Sequence, residues 1–561
     1  MSAGAGGDGL VVLSNRADLV SDNDVLVGMA LSDPAAASAI TFQANGQPVS
    51  AVGGLDSTGR YVARVSGLPL GAVTLSNSAG GSVTLVMHPN GGPIFSGPQL
   101  QPWGCQDGAV DAQCNQPARY AFFYKSKTGS GLSPYDPENP PSDVAETTTQ
   151  NGQTVPFIVR QETGYQARDQ YVIMMLWQPD QPWDPWAPQA QWNHKLLITH
   201  GGSCGAGRSA GTAPSAADVN ALGLGFAVAS TALDNLGHNC NVVTAAESLV
   251  MMKERLVEQY GTLRYTIGTG CSGGAITQLM TSNAYPGVYQ GNITACTYPD
   301  VFSTGAQFAD LHALRLYFEE PSTWGTGVVW EPNQMAQVEG HIAHANAITT
   351  DELFFKNVTN PVGDCAGDAG YDPANNPGGV RCGLLDYLIN QSGPRDPSVW
   401  SPMEIAAGKG FGGNPIDNVG IQYGLGALRT GVITPMQFID LNEKIGGFDI
   451  DIVKQAQRTK ADSPALANAY RSSEINQANN LNRVAIITST GPDPGAAHDT
   501  VHAFWVRRRI DREHGNHDNH ALWAGPVALM GDATYATRAF AMLDRWLEAV
   551  EADGSDIPLP A

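Results

Sequence analysis

The chain has 561 residues, and a hydrophobic fraction of 42% is that of a globular protein with enough apolar residues for more than one core. Its 31 basic and 53 acidic residues give a net charge of -22, which disfavours binding to nucleic acid and to anionic membrane surfaces. No apolar run is long enough to span a membrane, and residues 1–9 lack the basic and apolar regions of a signal peptide. We therefore expect a folded, acidic protein of two or three domains.

Residues 1–90 are predicted to form a small antiparallel β-sandwich. Short β-like runs alternate there with Gly, Asn, Asp and Ser turns, and no acid, base and nucleophile cluster together. We interpret this segment as a packing domain. The next segment, to residue 193, is dense in Pro, Gly and Trp, with strands predicted at Tyr120–Lys125 and Tyr171–Trp177. Its tryptophans are interpreted as packed against a sheet rather than as a surface that stacks on sugars.

Strands and helices alternate from Lys195 to Asp300. Strands are predicted at Lys195–Thr199, at Gly225–Thr231 and, further on, at Asn292–Thr297, while Glu247–Tyr260 has the apolar spacing of a helix. Such alternation indicates a parallel sheet, whose active residues lie at the carboxyl ends of the strands.

The segment Gly270–Gly274, with the sequence GCSGG, fits the pattern G-x-S-x-G between an apolar strand and the start of a helix. This is the context of the nucleophile elbow in α/β-hydrolases, where glycines prevent Cβ atoms from colliding with neighbouring backbone. We predict that Ser272 is a nucleophile and that the amide of Gly273 stabilises an oxyanion. The loop HGGSCG after the first predicted parallel strand supplies a second donor, the amide of Gly202 or Ser203.

The strand pattern stops near residue 302 and returns at Arg483–Thr490. We therefore predict an α/β fold with a mostly parallel α/β-hydrolase core in residues 91–301 and 481–561, and a large, mainly helical lid in residues 302–480. Three aspartates of the lid do not match an EF-hand, so calcium binding is an open alternative and no metal is predicted: Asp364, Asp368 and Asp372.

A serine nucleophile needs a histidine base, which in turn needs a carboxylate. His498 is the preferred base, because it follows a strand on the same edge of the sheet as Ser272. Asp300 is the preferred acid, because it follows the strand after the elbow. The alternatives left open are His312 and His520 for the base, and Asp493, Asp310 and Asp499 for the acid.

Eight cysteines form four couples of neighbours along the chain: Cys105 with Cys114, Cys204 with Cys240, Cys271 with Cys296, and Cys365 with Cys382. The first and last couples lie in loops that have little hydrophobic core of their own. A disulfide would restrain such loops. Zinc is disfavoured, because paired C-x-x-C spacing is absent. Connectivity does not follow from sequence, but disulfides are predicted, and with them a secreted or periplasmic protein.

Beyond these motifs, the chain resembles a family of secreted bacterial proteins of unknown function with an α/β-hydrolase core. The resemblance covers nearly the whole chain and implies the fold and the nucleophile, but no substrate. The late loop of that family carries Asp-Ile-His, whereas this chain has Ala496-Ala497-His498 and keeps the histidine. The resemblance rests on these stretches: Leu13–Leu19, His88–Pro93, Gly97–Trp103, Gly270–Gly274 and Tyr298–Asp300.

The elbow is also similar to that of tannases and feruloyl esterases, in which a cysteine precedes the nucleophile and bridges to a cysteine beside the catalytic histidine. This chain has no cysteine after Cys382 and lacks that link. We predict a serine esterase, with no cofactor, for bulky hydrophobic, aromatic or polyester-type substrates, whether small molecules, oligomers or polymers. An amidase or peptidase with the same residues, or a non-catalytic polymer-binding protein, are the alternatives.

Overall fold

A computed structural model describes residues 9–528 and 533–554, and its strands form two large sheets and two short antiparallel pairs. The strands are β1 (Val11–Val12), β2 (Val20–Ser21), β3 (Asp24–Met29), β4 (Phe42–Ala44), β5 (Gln47–Leu55), β6 (Tyr61–Ser66), β7 (Gly71–Asn77), β8 (Ser82–His88), β9 (Arg119–Lys125), β10 (Leu132–Pro134), β11 (Glu146–Thr148), β12 (Thr154–Pro156), β13 (Ile158–Gln166), β14 (Asp169–Leu176), β15 (Lys195–Thr199), β16 (Ala227–Thr231), β17 (Tyr265–Cys271), β18 (Gly291–Ala295), β19 (Gly447–Phe448), β20 (Lys454–Gln455), β21 (Ala485–Thr490) and β22 (His520–Ala524).

The helices of the described residues flank the second sheet or lie in the long segment between β18 and β21. They are α1 (Val219–Gly223), α2 (Val242–Tyr260), α3 (Gly273–Ala284), α4 (Val301–Phe318), α5 (Pro332–Glu339), α6 (Ala345–Thr350), α7 (Lys356–Thr359), α8 (Leu384–Tyr387), α9 (Ile389–Ser392), α10 (Pro402–Ala407), α11 (Leu425–Arg429), α12 (Pro435–Lys444), α13 (Ser463–Arg471), α14 (Val501–His514) and α15 (Ala533–Ala552).

The first eight strands form a sheet in the order β1-β3-β6-β5-β4-β7-β8-β2. Strand β5 pairs with β4 through its first residues and with β6 through its last, so it joins two halves of the sheet. The buried side chains of both halves form one cluster, which gives this region its sandwich-like character. The prediction of a purely antiparallel arrangement is wrong at one edge, where β2 and β8 are parallel.

The second sheet has ten strands in the order β10-β9-β13-β14-β16-β15-β17-β18-β21-β22. The six strands from β16 to β22 in this order are parallel, and antiparallel strands extend one edge. Leu197 and its neighbours Leu196 and Ile198 point to opposite faces and belong to different buried clusters. Helices α2 and α14 cover one face, and α1 and α15 cover the other. This is an α/β-hydrolase core.

The mainly helical insertion joins β18 to β21, which are neighbours in the sheet. Its chain leaves the core after Ala295, at the carboxyl end of β18, and returns before Ala485, at the amino end of β21, so its two ends lie at opposite edges of the sheet. Helix α4 begins at the carboxyl edge and continues into a separate buried cluster of the insertion.

The tryptophans before β15 pack against one another. Trp177 stacks on Trp183 with ring centres 5.2 Å apart, and the guanidinium of Arg160 lies 3.4 Å from the centre of the Trp177 ring. Both contacts occupy aromatic surface that a sugar would need, in agreement with the packing interpretation.

Four disulfides join the cysteines in the predicted couples: Cys105–Cys114, Cys204–Cys240, Cys271–Cys296 and Cys365–Cys382. Within the described residues, no helix combines the length and the apolar character that a membrane crossing requires.

Candidate active site

Ser272 occupies a sharp turn between β17 and α3. Its φ of 59° and ψ of -118° lie outside the regions that side-chain-bearing residues normally adopt. The flanking glycines make this turn sterically possible. A Cβ on Gly270 would lie 3.0 Å from the Cα of Gly274, and a Cβ on Gly274 would lie 3.0 Å from the Cβ of His200. The geometry is that of a nucleophile elbow.

His498 is hydrogen-bonded to Ser272, with 2.8 Å between Nε2 and Oγ. It lies in the loop between β21 and α14, so the carboxyl end of β21 brings it to the edge of the sheet where β17 ends. Burial lowers the pKa of the imidazole below its ordinary 6.5, which favours the neutral form that can accept a proton. The two side chains therefore have the geometry and protonation that proton transfer from a serine requires.

Two hydrogen bonds to consecutive amides hold the loop that carries His498. The amide of His498 donates to the hydroxyl of Tyr298 at 2.6 Å, and the amide of Ala497 donates to Oδ1 of Asn346. Both loop residues have positive φ, 51° at Ala497 and 50° at His498, so the loop needs such external support. Asn346 lies in α6 of the insertion and is fully buried.

Three amides lie beside the elbow without a hydrogen-bond acceptor in the described chain: those of Gly202, Ser203 and Gly273. A Cβ on Gly202 would lie 3.6 Å from the carbonyl oxygen of Cys271, so this loop touches the elbow. Gly273 is the first residue of α3, where free amides and the helix dipole favour negative charge. The arrangement provides donors for an anion that forms next to Ser272.

A model of a tannase-like family of unknown function (DUF6351) matches residues 10–561. The chain belongs to this tannase-like family. A comparison with curated proteins gave no match.

Several solved structures resemble this tannase-like protein at low identity. Feruloyl esterase B from Aspergillus oryzae is 12% identical, with a TM-score of 0.33, and the match covers 74% of this chain and 78% of that one. Tannin acyl hydrolase from Aspergillus niger is 11% identical, with a TM-score of 0.30 and coverage of 72% and 81%. MGS-M2, an α/β hydrolase from a deep-sea metagenome library, is 9% identical, with a TM-score of 0.28 and coverage of 69% and 96%.

In the tannase-like protein, Asp300 does not contact His498, and the prediction that it orients the base is not met. Its Oδ1 accepts from the amide of Ser303 at 2.6 Å and caps α4. Its Oδ2 accepts from the amide of Asn476 at 3.0 Å and from Arg509. A carboxylate that follows a strand and precedes a helix is drawn to the free amides of that helix, and here both of its oxygens bind groups other than the imidazole.

The other candidate carboxylates are also engaged elsewhere. Asp493 accepts from amides of its own loop, Asp499 accepts from Gln307 at 2.6 Å, and Asp310 accepts from a tyrosine of the insertion. In the part of the chain that the structure describes, Nδ1 of His498 therefore has no carboxylate partner.

The alternative histidines lie away from the nucleophile. His520 is the first residue of β22, at the strand end opposite to the elbow, and is bonded to Thr488 at 2.9 Å. His312 lies three turns into α4 and is bonded to Asp351 at 2.8 Å. Neither one is hydrogen-bonded to Ser272.

A deep apolar pocket of about 1180 Å³, mouth included, opens beside Ser272. Helix α4 runs along it, and residues of the core and of the rest of the insertion complete its wall. Asp310 is one of the few charged residues in its wall. The apolar lining consists of Ile276, Val301, Phe302, Phe308, Phe354, Phe355, Val358, Leu384, Leu385, Ile416, Phe448, Ile450 and Ile452.

A disulfide anchors the elbow to the neighbouring strand. Cys271 precedes Ser272 and is bonded to Cys296, directly after β18, while the amide of Ser272 donates to the carbonyl of Ala295 at 3.1 Å. The bridge therefore restrains the backbone on which the serine stands. Sequence reasoning found this couple but missed Tyr298 and Asn346, whose contacts span about 200 and 151 residues. For Tyr298, its place in the family stretch Tyr298–Asp300 was an available signal.

Proposed function

We propose that this tannase-like protein is a serine hydrolase that cleaves carboxylic esters through an acyl-enzyme. The observation that carries the proposal is the hydrogen bond of 2.8 Å between Ser272 and His498 at a nucleophile elbow. The description of the family as tannase-like supports an ester as the scissile bond.

The reaction begins when Oγ of Ser272 attacks the carbonyl carbon and Nε2 of His498 accepts the hydroxyl proton. The negative charge that forms on the carbonyl oxygen is stabilised by the amides of Gly273 and of Gly202 or Ser203. The tetrahedral intermediate collapses, the C–O bond of the ester breaks, and the imidazolium returns its proton to the leaving alcohol. Water, activated by the same imidazole, then hydrolyses the acyl-enzyme and releases the acid.

The base works here as one half of a dyad. Its Nδ1 has no carboxylate partner in the described residues, and the orientation of the ring instead depends on the loop that Tyr298 and Asn346 support. The ring of Tyr298 also packs against the imidazole, with centres 5.1 Å apart. We expect the charged imidazolium to gain less stabilisation than in a complete triad.

The pocket supports bulky substrates. Its lining is dominated by aromatic and branched aliphatic side chains, which favour a long, apolar or aromatic group over a short one. We assign residues 302–480 the role of a lid, because they close the pocket over the nucleophile. Four disulfides support action in a secreted or periplasmic setting.

The test is labelling of the purified protein with a fluorophosphonate, followed by mass spectrometry to locate the adduct, alongside hydrolysis of p-nitrophenyl esters. We expect an adduct on Ser272 that is absent in Ser272→Ala and strongly slowed in His498→Ala. Turnover should fall by about 10⁴-fold or more in either variant, with unchanged circular dichroism. Ser57→Ala, in the exposed turn between β5 and β6, is the matched control.

Absence of any adduct on Ser272 in a folded preparation would refute the proposal. A matched pair of an ester and an anilide with the same acyl group tests the scissile bond, and faster cleavage of the anilide would reassign the enzyme to amides.

A further inference from the structure

One end of the pocket carries a polar network in an otherwise apolar wall. Asp310 and Asn418 both line the pocket, and Tyr423 stands between them. The hydroxyl of Tyr423 donates to Oδ1 of Asp310 at 2.5 Å and accepts from Nδ2 of Asn418 at 3.2 Å. Nδ2 of Asn418 also donates to the carbonyl of Gly446 at 3.0 Å.

Every side-chain donor proton of Tyr423 and Asn418 already has an acceptor. The single proton of Tyr423 goes to Asp310, and the two amide protons of Asn418 go to Tyr423 and to the main chain. Among the described residues, Oδ1 of Asn418 has no hydrogen-bond partner, although Asn418 is only 5% exposed. A buried amide oxygen without a donor is costly. Oδ2 of Asp310 likewise receives no donor from the described chain.

The other polar side chains of the pocket wall do not supply the missing donor. The hydroxyls of Thr304 and Thr459 and the amide nitrogen of Asn414 each donate to a main-chain carbonyl, and none of them donates to Asp310 or Asn418. The guanidinium of Arg458 lies behind Tyr423, donates to the carbonyls of Asn418 and Asn442, and does not line the pocket. This end of the pocket therefore presents acceptors and needs a donor from the ligand.

The acceptors and the nucleophile line one pocket from different elements. Asp310 lies nine residues after Val301, the first residue of α4, which is about 14 Å along the helix at about 1.5 Å per residue. Val301, Phe302 and Phe308 of the same helix also line the pocket, so the wall beside α4 is largely apolar up to Asp310. A ligand bound at both Ser272 and Asp310 must fill this apolar stretch.

We propose that Asp310 and Asn418 bind a hydroxyl group at the far end of the substrate's acyl chain, which makes long hydroxyacyl esters the preferred class. This inference rests on the proposed ester hydrolysis. A terminal carboxylate is disfavoured, because Asp310 would repel it and the lining of this end contains no Lys or Arg of the described chain. Burial raises the pKa of Asp310 to about 6, so above that pH the group is an ionised acceptor.

The experiment compares p-nitrophenyl esters of alkanoic acids with their ω-hydroxy and ω-ammonium analogues over increasing chain length. At the length that reaches Asp310, we expect kcat/KM for the hydroxy ester to exceed that for the alkyl ester by about ten- to hundredfold. Shorter pairs should show no preference. Asp310→Asn should reduce the preference, measured as the ratio of kcat/KM for the two esters within the same variant, to about threefold or less. The exposed Asp368→Asn makes the same charge change in the insertion and should preserve the preference.

Equal kcat/KM for the alkyl and hydroxy esters at every length would overturn the inference, as would a preference that persists in Asp310→Asn. A stronger preference for the ω-ammonium ester would overturn the assignment to a hydroxyl group. Calorimetry with Ser272→Ala measures binding without turnover, and tighter binding of alkanediols than of alkanols of equal length is the expected result. This readout keeps the inference testable if fluorophosphonate labelling refutes the proposed hydrolysis.

Discussion

Asp300 and Arg509 form an ion pair, with 2.5 Å between Oδ2 and Nη1, and the carboxylate is completely buried. The same carboxylate caps α4 and accepts from the amide of Asn476. The beginning of the insertion, its end and the core helix α14 therefore meet at one side chain.

Asp300→Asn should act on stability. The substitution leaves the guanidinium of Arg509 without its partner, and we expect the free energy of unfolding to fall by about 3 kcal/mol in chemical denaturation. The acid limb of the pH profile should not move, since Asp300 makes no contact with His498. An Asn variant with normal stability and a large loss of turnover would instead place Asp300 in the catalytic machinery. Asp368→Asn is the control for the charge change.

The pH dependence of kcat/KM should report the buried imidazole. Only neutral His498 can accept the proton of Ser272, so activity rises with pH as the imidazolium loses its proton. Because burial lowers the pKa of His498, we expect the midpoint of this acid limb below 6.5. A midpoint above 6.5 would mean that a carboxylate stabilises the imidazolium in the working enzyme.

Gly273→Ala and Gly202→Ala form a matched pair of tests of the oxyanion site. A Cβ on Gly273 would lie 2.2 Å from the carbonyl oxygen of Ser203, so the loop must move, whereas a Cβ on Gly202 meets nothing nearer than 3.6 Å. We expect kcat to fall by about 10²- to 10³-fold for Gly273→Ala, as when an oxyanion donor is lost. Gly202→Ala should stay within about threefold of the wild type. Equal effects would show that the crowding at Gly273 is irrelevant to catalysis.

Asn346→Ala and Tyr298→Phe each remove one hydrogen bond to the loop of the base. We expect each variant to lower kcat by about tenfold or more, because a small displacement of a catalytic group is costly, while KM stays nearly constant. The rate of fluorophosphonate labelling should fall in parallel, which a purely structural defect in substrate binding would not produce. Asn139→Ala, at an exposed loop position, is the control. A changed KM with normal labelling would contradict a positioning role.

Two disulfides allow a comparison between the elbow and a surface loop. The chain-entropy relation predicts a loss of about 3.5 kcal/mol for removal of Cys271–Cys296, with a separation of 25, and about 2.6 kcal/mol for Cys105–Cys114, with a separation of 9. Only the first double Cys→Ser variant should also lower kcat, since its bridge adjoins Ser272. Unfolding curves and steady-state kinetics measure both effects. Normal kcat in an elbow variant that remains folded would show that the bridge serves stability alone.

The elbow geometry and the position of His498 beside Ser272 were predictable because both follow from local rules. A serine between glycines after a strand has one characteristic geometry, and a loop residue after a neighbouring parallel strand reaches the same edge of the sheet. The role of Asp300 was not predictable in this way. A carboxylate at that edge is within reach of both the base and the next helix, and the contacts with Asn476 and Arg509, which lie far along the chain, determine the outcome.

The support of the base was also beyond sequence reasoning. Asn346 lies in a short helix with no motif, and its contact with Ala497 depends on how the insertion folds back over the core. The free acceptors of Asp310 and Asn418 were also not predictable from sequence. They depend on the hydrogen bonds of Tyr423, which join residues from different parts of the insertion. The strand bounds, by contrast, followed closely from apolar runs, and β15 matches its predicted bounds.

The insertion joins two strands that are neighbours in the sheet, β18 and β21. A different segment in its place would therefore keep the strand order of the core. A foreign segment joined at the same two points would leave the sheet and Ser272 untouched and would bring a new specificity. It would also have to bring its own replacement for Asn346, or the histidine would lose its support. The insertion therefore couples the lining of the pocket to the position of His498, and a change in one affects the other.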